Sequence, residues 1–412
     1  MEFITIVIYL SVYMGLISTS FYIMSFLAGE KKKKPLYTDA ELSKVKVTVI
    51  IPAYNEEDTI AKTIKSVLKS GYPDFEVIVV DDGSKDRTLE IAKKLESEKV
   101  RVFHKENGGK GTALNLGIAK ATGKIIFTMD ADTTVHSESM KRMVRFFKDD
   151  SVMCVTPAMV INNPRTIWQR IQYTEYALGL FLRKAFSSLR SIYIAPGAFS
   201  AYRKWFFDKY GGYDEHNITE DLEMGLRIQY KGFHAENCPE APAYTNGPAA
   251  FKELTMQRRR WYFGQVKNLW KYRKIISRKY GDLGAFVIPT AILSTVFSVT
   301  ITVYLFFKIL FTVKDNLLFL QSVNFNPGTM NVNLYLIERF LFLFFTKPEV
   351  LSAIFFVFIL GFYTYYASKK IGSPPLMMLN WMLFFLLFAV MYGFWWIFSL
   401  FYSLTRKTIK WK

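Results

Sequence analysis

The sequence predicts a doubly wound α/β domain with a mostly parallel sheet, flanked by transmembrane and interfacial helices. Between residues 45 and 250, short runs of β-branched and aromatic residues alternate with amphipathic helical patterns, and this alternation is typical of parallel sheets. Outside that region, the chain has long apolar runs without a single charge. A helix of about 20 such residues crosses the hydrocarbon core of a bilayer, so these runs predict membrane spans.

The composition fits a membrane protein. The chain of 412 residues is 51% hydrophobic, yet it carries 53 Lys and Arg against 35 Asp and Glu, a formal net charge of +18. Cationic flanks fix the topology of a membrane protein, whereas a nucleic-acid-binding protein does not need long uncharged apolar runs. We therefore expect no nucleic-acid partner. Neither Cys154 nor Cys238 lies in a metal-binding pattern, so no zinc or disulfide framework is implied.

Four segments are apolar and long enough to span: 3–28, 286–307, 350–368 and 376–404. The first lacks a basic n-region, so we expect an uncleaved anchor rather than a signal peptide. The lysines at 31–34 predict an outer N-terminus and a cytoplasmic domain after them. Four spans would leave the basic C-terminus outside, against the positive-inside tendency. The interrupted apolar stretches 304–320 and 334–345 could add a span or a re-entrant piece, so the number of spans stays open.

These features divide the chain into five predicted parts. They are a transmembrane anchor (1–30), a basic linker (31–44), a cytoplasmic α/β domain (45–250), amphipathic interfacial helices (251–283) and a C-terminal transmembrane region (284–412). Segments 164–189 and 251–276 combine helical spacing with Trp, Tyr, Arg and Lys, which is typical of helices at the headgroup level. Ordinary surface helices are the alternative. We expect a multi-pass protein of the cell membrane that contacts membrane lipids.

Within the α/β domain, polar clusters follow the predicted strands. The strands are 47–51, 77–80, 102–103 and 125–129, and the helical patterns 60–68 and 89–95 lie between them. Ligands of doubly wound sheets bind beyond the carboxyl ends of the strands. The clusters at these ends are therefore the candidate functional residues.

Two of these clusters suit a nucleotide and its phosphates. Asp81, Asp82 and Gly83 follow the second strand, although this triplet alone is also a common turn. The segment 107–115 is rich in small residues that permit close backbone approach, and Lys110 at the predicted helix start can meet a phosphate.

A metal site is predicted at Asp130 and Asp132, directly after the fourth strand. Two carboxylates one residue apart repel each other unless a cation lies between them. Mg²⁺ or Mn²⁺ binds in this way, using one or two carboxylates and substrate phosphate oxygens. The alternative is a solvated acidic loop.

Two further clusters lie on predicted helices. Thr219, Glu220 and Asp221 begin a helix, where Thr219 could simply be the N-cap. The segment 257–261 (Gln-Arg-Arg-Arg-Trp) combines three cations with an indole, which could contact a diphosphate and a sugar face. It could also be a patch for lipid headgroups.

In their order and spacing, these clusters resemble the complete signature of processive family 2 glycosyltransferases. The resemblance covers roughly residues 47–270, and the membrane flanks also match that family's layout. It implies a GT-A-type fold, a nucleoside diphosphate sugar donor and a divalent metal, Mg²⁺ or Mn²⁺. The run 196–203 resembles the acceptor-pocket segment of N-acetylglucosamine polymer synthases.

The resemblance implies a role for each matching residue. Asp221 would be the catalytic base, Asp130 and Asp132 would hold the metal, and Asp81 with the loop 53–56 would hold the nucleotide. Gln257, Arg260 and Trp261 match a motif that binds the donor diphosphate and the acceptor end. The implied substrate ligands are Ala53, Tyr54, Glu56, Asp81, Asp82, Lys110, Asp130, Thr219, Glu220, Gln257, Arg258, Arg260 and Trp261. The four histidines lie outside the motifs and are expected to be structural or surface residues.

We expect an inverting enzyme that uses a UDP-sugar, best UDP-N-acetylglucosamine or UDP-glucose, to extend a β-linked polysaccharide and translocate it. The alternative is transfer of one sugar to a polyprenyl phosphate or glycolipid. A non-catalytic membrane receptor or transport component on the same fold is a third reading, which the full set of acidic positions disfavours. The partners are a nucleotide-sugar donor and a growing glycan or lipid acceptor. An accessory subunit or a homo-oligomer is left open.

Overall fold

The computed structural model describes residues 2–31, 35–322 and 377–404, together with 338–339, 341–342, 350, 354–355, 357–359, 361–363 and 365–366. Parts of the predicted span 350–368, most of the stretch 334–345 and the basic C-terminus therefore lie outside the described residues. Lysines 32–34, on which the predicted orientation depends, lie outside them as well.

The described chain contains a central sheet and helices on both of its faces. The strands are β1 (Val47–Ala53), β2 (Phe75–Asp81), β3 (Val100–His104), β4 (Ile125–Met129), β5 (Thr134–Val135), β6 (Val152–Ile161), β7 (Phe199–Arg203) and β8 (His234–Thr245). The helices are α1 (Glu2–Lys31), α2 (Asp39–Leu42), α3 (Ile60–Leu68), α4 (Thr88–Lys93), α5 (Lys110–Lys120), α6 (Ser139–Val144), α7 (Ile167–Ser188), α8 (Lys204–Tyr210), α9 (Glu220–Tyr230), α10 (Phe251–Lys271), α11 (Ile288–Ser322), α12 (Met377–Leu383) and α13 (Ala389–Leu404).

The sheet has the strand order β3-β2-β1-β4-β7-β6-β8-β5 in the part of the chain that the structure describes. The strands β3, β2, β1 and β4 are parallel to one another. The other half is mixed, because β7 runs antiparallel to both β4 and β6, and β5 runs antiparallel to β8. The predicted α/β class and its parallel half are confirmed. The mixed half was not predicted.

The parallel half is buried on both faces, and its sequence shows why. In β1, Val49 and Ile51 pack in the same core cluster as Ile64 of α3, whereas Ile50 packs with Leu114 of α5. A strand covered on both sides needs apolar residues at successive positions, which explains its uninterrupted apolar run. The polar clusters lie at the carboxyl ends of these strands or directly after them.

Within the described residues, two helices are long and apolar enough to cross a membrane, Phe3–Gly29 and Leu283–Asp315. The second begins earlier than the predicted span at 286, because a π-helical turn, Leu283–Val287, continues directly into α11. The same helix runs unbroken to Ser322. The stretch 304–320 therefore extends this helix and does not form a separate span or re-entrant piece. The predicted segment 376–404 corresponds to α12, the π-helical turn Phe384–Phe388 and α13.

Glu76 is a buried carboxylate near the amino-terminal end of β2, away from the polar clusters at the carboxyl ends of the strands. Glu76 accepts hydrogen bonds from the Thr48 hydroxyl at 2.7 Å and from the Thr122 N–H and hydroxyl at 2.8 and 2.7 Å. Arg101 donates to its other oxygen at 2.7 Å. Burial would raise the pKa of Glu76, but the hydrogen bonds from Thr122 and Thr48 and the charge of Arg101 outweigh burial and lower that pKa.

We expect Glu76→Ala to lower the free energy of unfolding by about 2–3 kcal/mol, because charge-assisted hydrogen bonds to a buried carboxylate are lost. Denaturant unfolding of the detergent-solubilised protein, followed by circular dichroism, measures this. Since the folded-state pKa is lowered, the stabilisation is present above the unfolded-state pKa of about 4.3 and is lost as the pH falls below it.

The control is Glu90→Ala, which removes an ion pair with Lys94 whose glutamate side chain is 57% exposed. Exposed pairs contribute little, so this variant should unfold like the wild type. If both variants have the same free energy of unfolding at neutral pH, Glu76 does not stabilise the fold as proposed.

Candidate active site

Asp81 ends β2 and presents one free oxygen at the edge of the sheet. Its Oδ2 lies 2.7 Å from Nδ1 of His104 and accepts a hydrogen bond from the Ser84 N–H at 3.3 Å. The residue is fully buried, and its Oδ1 has no hydrogen-bond partner among the described residues. A buried carboxylate oxygen without a donor is costly, so this oxygen suits an N–H group of a ligand.

His104 was expected to be a structural or surface residue, yet it lies directly beside Asp81. The two residues are register partners in the pair β2–β3. The strand run predicted at 102–103 stopped one residue short of His104. A longer strand would have placed this histidine level with Asp81, which was the signal available in the sequence.

The loop after β1 is held against the loop after β2. Asn55 has a positive φ of 55°, its N–H donates to the Ser84 hydroxyl at 3.0 Å, and its Oδ1 accepts from the Lys85 N–H at 2.8 Å. The Glu56 N–H donates to the Thr88 hydroxyl at 2.7 Å. These bonds place the segment Ala53–Glu56 next to Asp81, so the predicted nucleotide residues lie together.

Asp82 is engaged by the chain itself. Its Oδ1 accepts hydrogen bonds from Lys105 Nζ at 2.7 Å and from the Gly108 N–H at 3.0 Å, and its Oδ2 accepts from the Gly109 N–H at 2.7 Å. The residue is 3% exposed. Both oxygens of Asp82 shape the glycine-rich loop that leads into Lys110, and the expected contact of Asp82 with a substrate stays a prediction.

Lys110 begins α5 and joins two of the predicted clusters. Its Nζ lies 2.5 Å from Asp130 Oδ1 and 3.2 Å from Glu220 Oε1. Burial by itself would lower the pKa of the ammonium, but the neighbouring carboxylates of Asp130, Glu220 and Asp221 outweigh burial and raise that pKa. Lys110 therefore stays charged and partly neutralises an acidic cleft.

The turn that carries Asp130 and Asp132 is fixed from two sides. The Asp130 N–H donates to the Ala198 carbonyl at 3.2 Å, and the Thr63 hydroxyl donates to the Ala131 carbonyl at 2.8 Å. Burial and the charges of Asp130 and Glu56 raise the pKa of Asp132. A cation between the two carboxylates would relieve this repulsion, so the donor set fits a divalent metal.

The protein supplies only part of a coordination shell there. Among the described residues, no group of three or more His, Cys, Asp or Glu side chains could hold a metal ion. Mg²⁺ and Mn²⁺ sites commonly complete a carboxylate pair with water and phosphate oxygens. The pair therefore suits a metal that arrives with, or is shared by, a phosphate-bearing substrate.

Asp221 is oriented by two backbone N–H groups. Gly197 donates to its Oδ2 at 3.1 Å and Leu222 donates to its Oδ1 at 2.8 Å. A Cβ atom on Gly197 would lie 2.7 Å from Lys110 Nζ and 3.6 Å from Asp221 Oδ2. Gly197 thus lets these two side chains meet, and Asp221 shares one cleft with Lys110 and Asp130.

Thr219 does not cap α9 through its side chain, although it occupies the N-cap position. Its hydroxyl instead accepts a hydrogen bond from Asn268 Nδ2 of α10 at 3.0 Å. Asn217 completes the cluster, because its Nδ2 donates to Asn268 Oδ1 at 2.7 Å and its Oδ1 accepts from the Thr219 N–H at 3.1 Å. The helix that carries Asp221 is therefore tied to α10.

The segment 257–261 lies within α10, and its residues have different environments. Arg258 is 1% exposed and makes a bidentate ion pair with Glu175 of α7, at 2.8 and 2.6 Å. Its guanidinium also lies 4.3 Å from the Trp261 ring. The ion pair neutralises the charge of Arg258 and joins α10 to α7, and the expected contact of Arg258 with a substrate stays a prediction. Gln257 Oε1 is buried with no partner among the described residues.

Residues 48–211 match the family model described as Glycosyl transferase family 2. The poly-beta-1,6-N-acetyl-D-glucosamine synthase of Staphylococcus aureus (strain MSSA476) is 31% identical over 261 residues, which is 62% of this chain and 63% of that protein. The probable glycosyltransferase YdaM of Bacillus subtilis (strain 168) is 28% identical over 346 residues, which is 78% of this chain and 79% of that protein. The chain thus spans less than two thirds of the length of the staphylococcal relative.

Among solved structures, the fold is similar to the mannosyltransferase PcManGT from Pyrobaculum calidifontis in complex with GDP-Man and Mn²⁺. The TM-score is 0.53 and the sequence identity is 18%, and the match covers 88% of this chain and 98% of that one. At this identity the similarity concerns the fold alone, and it agrees with the expected GT-A-type architecture.

We expect Arg258→Met or Glu175→Met alone to destabilise the protein by about 3–5 kcal/mol, because each leaves a buried charge without its partner. The double variant should recover most of this loss, since two apolar side chains can fill the same volume. Denaturant unfolding of the four proteins measures the coupling.

The KM for the donor, measured on the stable double variant, distinguishes a structural role of Arg258 from a role in donor binding. An unchanged donor KM is expected if Arg258 only joins α10 to α7. A large rise in donor KM would show that Arg258 binds the donor. The control is Arg259→Met, which removes a neighbouring cation that lies over the Tyr402 ring at 4.8 Å.

Proposed function

Since residues 48–211 are a family 2 glycosyltransferase domain, we propose that the chain transfers sugar from a UDP-sugar and extends a β-linked polysaccharide. The observation that carries the proposal is the cleft in which Lys110 meets Asp130 and Glu220, with Asp221 beside them. This cleft provides a metal-binding carboxylate pair, a cation and a candidate base within reach of one substrate.

The nucleotide would lie against β2. Asp81 Oδ1 is a buried acceptor without a partner among the described residues, and it suits the imide N–H of uracil. The segment Ala53–Glu56 would close the nucleotide site from the side of β1. We place UDP-N-acetylglucosamine first among donors, because the staphylococcal relative is named a poly-beta-1,6-N-acetyl-D-glucosamine synthase. UDP-glucose is the second choice.

The diphosphate would lie between Lys110 and the pair Asp130 and Asp132. Divalent Mg²⁺ or Mn²⁺ would supply charge neutralisation to the leaving diphosphate there. Support comes from the raised pKa of Asp132, caused by burial and by Asp130 and Glu56, and from the Mn²⁺ named in the fold neighbour. Lys110 would add a second positive charge to the leaving group.

Asp221 would act as the base. Each of its oxygens accepts one backbone N–H, which fixes the carboxylate and leaves further lone pairs. One of these would take the proton of the acceptor hydroxyl as its oxygen attacks the anomeric carbon. The bond to the diphosphate breaks in the same displacement. Because no covalent nucleophile intervenes, an α-linked donor gives a β-linkage.

Chain extension is favoured over a single transfer by the surroundings of α10. Gln257 and Trp261 precede Asn268, the residue that joins α10 to Thr219. Trp261 packs against the cluster that contains the buried Trp395 and Trp396, and it is itself only partly buried, so its ring suits stacking on a sugar. Residues 251–283 would lie at the membrane surface and residues 284–412 within the membrane, with the catalytic domain in the cytoplasm. Single transfer to a polyprenyl phosphate or glycolipid is the alternative.

We expect Asp221→Asn to lower turnover by about 100- to 10,000-fold, the usual contribution of a positioned base, while donor binding stays largely intact. Released UDP reports turnover, and calorimetric titration with the donor reports binding. The control, Asp208→Asn, changes a carboxylate that pairs with Lys204 on α8 and should leave both readouts unchanged. Comparable turnover by the Asp221 variant would remove it from the role of base.

Purified protein should release UDP fastest from UDP-N-acetylglucosamine, and only with Mg²⁺ or Mn²⁺ present. A panel of UDP-sugars, with product size measured by gel filtration, tests donor and mode together. High-polymer product is expected, and a single lipid-linked sugar would establish the alternative instead.

Asp132→Asn should raise the metal concentration needed for half-maximal turnover. Full activity in excess chelator would contradict the metal assignment.

A further inference from the structure

The segment 267–280 is an exposed basic surface next to a candidate membrane span. It contains no acidic residue and carries the cations Lys267, Lys271, Arg273, Lys274, Arg278 and Lys279, all of them exposed. In the part of the chain that the structure describes, only Lys271 of these six has an ion pair, with Asp214 and Glu223. The other five make no ion pair with the described residues, although Lys267 lies close enough to Asp214 for its charge to help lower the pKa of that carboxylate.

Exposed apolar side chains lie among these cations. Trp270 is 72% exposed and Ile276 is 45% exposed, and Arg273 lies over the Trp270 ring at 5.2 Å. Indole rings next to cations are typical of the headgroup region of a bilayer. The apolar helix Leu283–Asp315 begins just after the segment, so a bilayer around that helix would bring its headgroups to this surface.

The segment is packed rigidly onto the start of that helix. A Cβ atom on Gly284 would lie 2.2 Å from the Ile275 carbonyl oxygen and 2.4 Å from that of Ser277. Only a glycine permits this close approach. Tyr272 and Ile275 are buried in one cluster with Leu283 and Val287, so the cations are presented from a fixed backbone.

The same segment contacts the helix that carries Asp221. The Tyr272 hydroxyl donates to Glu223 Oε1 at 2.5 Å, and Lys271 Nζ donates to the same atom at 3.1 Å. Leu222 and Leu226 of α9 belong to the cluster that holds Tyr272 and Ile275. A force on the segment therefore reaches α9 through both polar and apolar contacts.

We propose that residues 267–280 bind anionic lipid headgroups and that Tyr272 transmits this binding to the catalytic helix through Glu223. The partner is a membrane surface with negatively charged phospholipid, because the segment combines unpaired cations with apolar side chains at the entry of a span. A free phosphate would match the cations but not Trp270 and Ile276. The effect on catalysis rests on the proposed transferase function, whereas the binding does not.

The test uses the full-length protein in nanodiscs of phosphatidylcholine, with or without phosphatidylglycerol. The binding variant carries Lys267→Gln, Lys274→Gln and Arg278→Gln, none of which lies in the catalytic machinery. The matched control carries Lys62→Gln, Lys65→Gln and Lys69→Gln, which removes the same charge from exposed positions on α3 and at its C-cap. Both variants keep the basal turnover in phosphatidylcholine.

The first readout is the phosphatidylglycerol that stays bound through purification in neutral detergent. Each cation near an anionic surface raises binding about fivefold, so the binding variant should retain at least about tenfold less than the wild type and the control. Retention should fall with ionic strength and should not fall when inorganic phosphate replaces chloride at constant ionic strength. Equal retention by all three proteins overturns the proposal, and displacement by inorganic phosphate identifies a phosphate site instead.

The second readout is turnover. Phosphatidylglycerol should raise the kcat of the wild type several-fold with little change in donor KM, and the binding variant should show no such rise. Tyr272→Phe should retain lipid like the wild type but lose the rise in kcat. A Tyr272→Phe protein that still responds overturns the coupling. If no protein turns over in any lipid, the transferase proposal fails, and lipid retention still decides the binding surface.

Discussion

The architecture of the site depends on one charge balance. Four carboxylates, those of Asp130, Asp132, Glu220 and Asp221, converge at the free edge of the sheet, and Lys110 is the cation that bridges two of them. Like charges held this close in a partly buried cleft repel strongly. One ammonium cannot offset four acids, so the cleft attracts further positive charge. A divalent metal meets that need at the same edge where a diphosphate would bring its own negative charge.

The sequence alone was sufficient for the parallel half of the fold and for the neighbourhood of the site. Strand-like runs that end in acids imply residues at one sheet edge, and the structure brings Asp81, Lys110, Asp130 and Asp221 to that edge. The sequence alone was not sufficient to predict which residues individual side chains contact. The roles of Asp82 and Arg258 depend on the glycine-rich loop and on Glu175, and no local pattern links residues so far apart in sequence.

The helix α10 joins functions that lie apart in the chain. Its N-terminal half carries Gln257 and Trp261, and its C-terminal half binds Thr219 through Asn268. A Cβ atom on Gly264 would lie 2.1 Å from the Thr219 hydroxyl oxygen, so the Thr219 side chain packs directly against the backbone of α10. Contacts this tight transmit small shifts, because packed interiors do not absorb strain. Movement of α10 would therefore displace the start of α9.

Adjacent carboxylates at the start of α9 are suited to different tasks. Successive helical residues point about 100° apart, so Glu220 and Asp221 face different surroundings. Glu220 is 3% exposed and bound to Lys110, and burial and the charge of Asp221 raise its pKa. Asp221 is only half-buried and is held by backbone N–H groups without an ion pair among the described residues. A base must be reached by the acceptor hydroxyl, and of these two carboxylates Asp221 is the more accessible. Glu220 is the better counterion, since its ion pair would hold Lys110 in the cleft until the proposed donor diphosphate binds.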